Sequence, residues 1–102
     1  DRAEEMSYRT VKAEPQNATY LDTYAWILFE KGNYAEARIY IDQVIKLSTE
    51  EELSADVLEH CGDIHALTDD VAGAVEFWKM ALKKGSESKL LKRKVNERRY
   101  LN

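Results

Sequence analysis

The sequence predicts an all-α chain built as a solenoid of antiparallel helix pairs, and three observations carry that expectation. Apolar residues recur at three- and four-residue spacing through most of the chain. The stretches FEKGNYAEA at 29–37 and ALTDDVAGA at 66–74 lie thirty-seven positions apart, and each closes one such pattern and opens another. No run alternates apolar and polar residues as a half-buried strand would.

The elements follow in order. Residues 3–13, ahead of Pro15, read as the second half of a first hairpin. In ATYLDTYAWILFEK, Tyr20, Leu21, Tyr24, Ala25, Leu28 and Phe29 line one helical face, and Gly32 ends it. Asn33 stands three residues before Glu36, a capping-box pattern that starts a helix through Ala37, Ile41, Val44 and Ile45. Thr49 and Glu52 repeat that pattern ahead of a face formed by Leu53, Val57, Leu58, Cys61, Ile64 and His65, which runs to about Leu67. Asp69 and Asp70 interrupt it. The next helix spans Val71 to Lys84 and buries Ala74, Phe77 or Trp78, Ala81 and Leu82, with Gly85 suited to its C-terminal cap. A last helix forms around Leu90, Leu91 and Val95. A two-helix unit cannot bury its apolar face alone, which favours an open succession of pairs over one closed bundle.

These units resemble the tetratricopeptide repeat, in which a first helix carries a large residue, a leucine and a glycine, a second carries a spaced alanine, aromatic and alanine, and a proline stands near the unit's end. Leu58, Cys61, Gly62 and His65 follow the first-helix spacing, and Ala74, Trp78 and Ala81 the second. In the preceding unit Leu21, Tyr24, Ala25 and Leu28 match, followed by Gly32, Tyr34, Ala37, Ile41 and Val44; Ala3 and Pro15 remain of a partial first unit. The resemblance implies a right-handed superhelical solenoid forming a single domain over 1–102. It comprises a truncated repeat at 3–15, repeats at 18–51 and 52–88, and a closing helix at 89–101. Ala25, Gly62, Ala37 and Ala74 would let helices approach closely while Tyr24, Leu28 and Trp78 fill the gaps. Two departures matter. Thr49 replaces the usual proline, and residues 52–54 lengthen the second repeat by three, accommodated as an added turn before Ala55 capped by Thr49, or else as a longer loop. Asp69 stands where Gly32 stood, and aspartate tolerates positive φ better than most residues.

Such repeats line a concave surface with their first helices. Carried over, that surface holds Thr19, Asp22, Thr23, Trp26 and Phe29, then Asp56, Glu59, His60, Asp63 and Leu67. Trp26 and Phe29 are the candidate anchors, unless they are covered by neighbouring helices or by more of the parent protein. The surface disfavours an acidic ligand and suits a protein or peptide that is basic or offers an apolar anchor. Some family members clamp a terminal carboxylate with lysine, asparagine and arginine. Asp22, Trp26, Asp56 and His60 stand on the corresponding faces here, so that activity is not carried over.

Charge is divided: residues 1–78 hold 17 acidic and 6 basic side chains (−11), and residues 79–102 hold 2 and 9 (+7), which together give the net −4. The basic segment KLLKRKVNERR at 89–99 reads first as a closing helix seated by Leu90, Leu91 and Val95 with its cations in solvent. The other accounts are a homodimer through the acidic groove of a second copy, and nucleic-acid binding, which lacks a recognised fold or interleaved aromatics.

At 102 residues the chain can bury one small core that attachment to further protein would help. It opens on Asp1 rather than methionine, as a processed or excised chain would. No apolar run approaches membrane-spanning length, and the compartment is unassigned. A single cysteine, Cys61, excludes an internal disulfide. His60 and His65, five residues apart, diverge by about 140° on a helix and do not converge on a metal. Carboxylate pairs such as Asp56/Glu59 and Glu59/Asp63 share a face but no evident pocket, and KGN is not a phosphate loop. The expectation is therefore a noncatalytic protein-binding scaffold module without metal or cofactor, or else structural repeats that cap or space another domain.

Overall fold

The computed structural model describes residues 1–102 and contains six α-helices, one 3-10 turn and no strand. The chain divides into two compact units, Asp1–Glu50 and Glu51–Asn102. In the first, α1 (Arg2–Ala13) packs on α2 (Ala18–Glu30), and α2 pairs antiparallel with α3 (Tyr34–Leu47). In the second, α4 (Ala55–Ala66) pairs with α5 (Val71–Lys83), and α5 packs on α6 (Lys89–Glu97).

Each helix pair is joined by the same turn, and the backbone bonds explain why. Gly32 takes φ +83°, and the Gly32 and Asn33 amides close on Phe29 and Leu28 carbonyls at 3.0 and 2.9 Å, the Schellman arrangement that satisfies orphan carbonyls at a helix end. Thirty-seven residues on, Asp69 adopts φ +63° and the Asp70 amide closes on the His65 carbonyl at 3.0 Å. Aspartate therefore does take the left-handed geometry that glycine takes in the first unit. Gly85, φ +106°, ends α5 in the same way, with the Ser86 amide on the Ala81 carbonyl at 3.3 Å.

Helix starts differ in part from the sequence reading. Asn17, Asp70 and Ser88 cap α2, α5 and α6 through side-chain oxygens that accept from Tyr20, Gly73 and Leu91 amides at 3.1, 2.9 and 3.2 Å. Asn33, expected to open a capping box, makes no side-chain cap bond at α3; the Schellman turn already holds its backbone. An added turn does precede Ala55, as a 3-10 turn over Glu50–Glu52, and α4 begins beyond it with its own cap, Ser54 Oγ accepting from the Val57 amide at 3.2 Å. α6 stops at Glu97, with Arg98 at φ +54°, short of residue 101.

The cores are filled differently. In unit 1, Leu21, Ala25, Ala37 and Ile41 are fully buried, and the Tyr24 ring meets Tyr40 edge-on at 4.8 Å and Tyr8 at 5.7 Å. In unit 2, Trp78, not Phe77, is the fully buried aromatic. Gly62 makes room for it: a Cβ at that position would overlap the indole Cδ1 and Nε1.

Candidate functional site

The predicted surface residues fall on α2 and α4. On α2, Thr19 and Thr23 are exposed, with the Thr23 hydroxyl donating to the Thr19 carbonyl at 3.0 Å, while Asp22 and Trp26 are half-buried. Phe29 is only 5% exposed. Its ring lies under Trp26, with centroids 4.7 Å apart and planes 13° from parallel, and touches Tyr34 at 5.3 Å. The two residues paired as anchors are thus a layered couple, with Phe29 as the floor and Trp26 as the accessible face. The floor fixes the indole, which lowers the entropy lost if a ligand seats on it.

On α4, Asp56 is exposed, Glu59 and His60 are half-buried and Asp63 is buried, while Leu67, its C-cap, is half-buried. The helical period places Glu59 and Asp63, four residues apart, on one face. Both are engaged by the same cation. Lys94 of α6 donates to Glu59 Oε2 at 2.8 Å and to Asp63 Oδ1 at 2.8 Å, and the Trp78 indole N–H donates to Asp63 Oδ1 at 3.1 Å. The Lys94 ammonium also lies 5.9 Å from the Trp78 ring centre and 5.2 Å from that of Tyr100, within cation–π range.

Burial dominates the protonation of this cluster. It pushes the Asp63 carboxyl up to about 6, against the downward pull of the Lys94 hydrogen bond and charge. Burial also opposes the Lys94 ammonium, but its hydrogen bonds to Asp63 and Glu59 outweigh that and hold its pKa above the ordinary lysine value. Lys94 is the residue that sequence reasoning missed. It was grouped with solvated cations, yet it is 2% exposed, whereas Leu90 and Val95 are only half-buried and Leu91 is the fully buried apolar contact. The only local hint was Leu91 three residues before Lys94 on one helical face; the partners lie on another helix.

Cys61 is buried, and His65 Nδ1 lies 2.7 Å from the Cys61 carbonyl oxygen with its ring against Phe77 at 4.8 Å. No group of three or more His, Cys, Asp or Glu side chains converges as a metal site. No helix is long and apolar enough to cross a membrane. An open depression of about 580 Å³ beside α1, lined by Asp1, Arg2, Glu5, Met6 and Arg9, contains none of the predicted residues.

No family model and no curated protein matches the sequence. Among solved structures, the chain is similar to the N-terminal domain of stress-induced protein-1 (STI-1) from C. elegans. The TM-score is 0.66 and the identity 18%, covering 90% of this chain and 75% of that one. It is also similar to a chain in the structure of Naa15/Naa10 bound to HypK-THB, with TM-score 0.68 and 20% identity, covering 93% of this chain but 14% of that one. Likeness at this identity concerns architecture, and what the chain shares with these proteins is a fold of antiparallel helix pairs.

Proposed function

We propose that the chain is a tetratricopeptide-type binding module, noncatalytic, in which the first helix of each unit presents its own recognition face, for a basic peptide or protein segment with an apolar anchor. The observation that carries this reading is Trp26, half-buried and stacked flat on a buried Phe29 beside exposed Thr19 and Thr23 and half-buried Asp22. An aromatic held rigidly but left accessible is the kind of residue that dominates binding energies. On α4, exposed Asp56 adds a negative charge that favours a cationic partner there. Asp63, expected on that surface, is instead buried against Lys94 and the Trp78 indole.

Selection of random dodecapeptides against the chain should enrich sequences with lysine or arginine around one large apolar residue. Trp26→Ala should weaken the best ligand at least tenfold with helicity unchanged. Phe29→Ala, which removes the floor, should weaken binding and also lower stability. Enrichment of acidic peptides, or indifference to Trp26→Ala, would refute the reading. The second reading, repeats that cap or space a neighbouring domain, is supported by the internal satisfaction of Glu59 and Asp63 by Lys94. It predicts no enrichment at all.

A further inference from the structure

The cluster on α4 and α5 has the composition of a site for one ammonium group. Two carboxylate oxygens from one helix face converge on Lys94 Nζ at equal distance, and an indole N–H from the adjacent helix fixes the deeper carboxylate. An apolar group at that point would leave Asp63, 3% exposed, a buried anion with only the indole for a partner, which is costly. Whatever covers this face has to bring a cation to that height.

The present occupant is a short helix seated by two buried side chains. α6 has nine residues, and a helix of that length is marginal on its own. Only Leu91 and Lys94 of it are buried. The ion pairs of Arg93 and Arg99 both end on Glu97, inside the same terminal segment, so they do not tether it. The connection from α5 runs through Gly85 to Ser88, where the side-chain bond is a 3.4 Å contact between the Ser88 amide and Ser86 Oγ. Glu59 keeps its side chain 23% exposed, against 4% for Asp63, so the cage has an outer carboxylate that an incoming cation meets first.

We propose that Glu59, Asp63 and Trp78 form a receptor for the lysine of an amphipathic helix. In this scheme α6 is its resident internal ligand, and a partner helix with an apolar residue three positions before a lysine takes the same seat. The proposal rests on the reading of α4 as a surface for basic partners and specifies the partner's chemistry there. Because α6 is tethered, it competes at an effective concentration near the millimolar range for a short flexible link. The partner's measured affinity is reduced accordingly, and the module responds only to helices that fit better than its own.

The test uses the full chain with Lys94→Gln and, as probe, a fluorescein-labelled synthetic peptide of residues 86–102. The variant should bind the peptide at least tenfold more tightly than the unaltered chain does. The same peptide carrying Lys94→Gln should lose at least tenfold, and adding Asp63→Asn to the variant chain should lose as much. Equal binding to both chains, or equal binding of both peptides, overturns the proposal. Circular dichroism establishes that the variant is folded. Independently of any variant, α6 amides in the unaltered chain should exchange with solvent at least a hundredfold faster than those of α4 and α5, and equal protection overturns it as well. A concentration-dependent dimer of the unaltered chain in sedimentation, abolished by Lys94→Gln, would show that the incoming helix is α6 of a second copy and overturn the assignment to a different partner. Trp26→Ala should leave peptide binding at the cage unchanged, so failure of the α2 surface and failure of the cage give different results.

Discussion

The two units solve one packing problem with opposite choices of side-chain size and polarity. Positions thirty-seven residues apart correspond: Ala25 with Gly62, Ile41 with Trp78, and Trp26 with Asp63. In unit 1 the matching positions hold a buried alanine and a buried isoleucine, and the tryptophan is half-buried, stacked on Phe29. In unit 2 the tryptophan is inside, the first helix gives up its Cβ to admit it, and the position taken by Trp26 becomes a buried carboxylate bonded to the indole. Moving the aromatic inward creates a polar atom that needs a buried acceptor, and the acceptor in turn needs a cation. One substitution of size thus explains a chain of three polar partners that the first unit does not require.

The sharpest way to break the comparison is to empty the unit 2 core. Trp78→Ala should cost about 3–5 kcal/mol in urea unfolding, more than Ile41→Ala at the matching position, because it leaves a larger void and strips Asp63 of its indole donor. The reverse change of volume, Gly62→Ala, should cost about 1–3 kcal/mol through overlap with the indole despite alanine's better helix propensity. If Gly62→Ala instead stabilises, the indole has room to shift and the size argument is wrong.

Next comes the ion cluster. Lys94→Met should cost about 2 kcal/mol by leaving Asp63 buried beside Glu59. The double change Asp63→Leu with Lys94→Met should recover most of that loss, since buried ion pairs replaced as a pair by apolar groups are often neutral. A double variant as unstable as the single one would mean that the cluster positions α6 in a way apolar packing cannot replace.

A smaller effect distinguishes the units by pH. The Asp63 carboxyl is raised from 3.8 to about 6 in the folded chain, so folding favours its protonated form. Its contribution to stability is complete below about 3.8 and is lost as pH rises through about 6. With Lys94 and Glu59 facing it, the unaltered chain should gain about 1 kcal/mol relative to Asp63→Asn between pH 7 and 5. Chemical denaturation at the two pH values reads this directly, and a gain in the opposite direction would place the folded pKa below the ordinary value.

The smallest effect is in the turns. Gly32→Ala should destabilise by about 1 kcal/mol at φ +83°, and Asp69→Gly should stabilise by about 0.5 kcal/mol, each shifting the thermal midpoint by a few degrees or less. Equal loss in both would show that the Asp69 side chain contributes something glycine cannot.

The helices, their pairing and the positive φ at Asp69 were legible in the sequence because each rests on a local rule: spacing, capping and the αL preference of glycine and aspartate. The choice between Phe77 and Trp78 was not, because both lie within reach of the same face and Gly62 decides it from another helix. Phe29 was legible as an aromatic on the right helix but not as a floor under Trp26, which depends on Tyr34 beyond the turn. Lys94 was least legible of all. A lysine in a basic run reads as solvated, and only the tertiary meeting of α6 with Glu59 and Asp63 removes it from water. Where partners lie 31 and 35 residues away, local pattern has no access to them.

The close approach of Gly62 to Trp78 has a consequence for how such a chain can diverge. A methyl group at 62 overlaps the indole at 78 where it now sits, so a larger residue at the first position favours a smaller one at the second. Relatives that carry alanine at the first should carry a smaller residue at the second, and should then have no need of an acid at 63 or a lysine at 94. The four positions would change as a set, leaving a signature of linked substitution that marks descent from this particular core even where the rest of the surface has been rewritten.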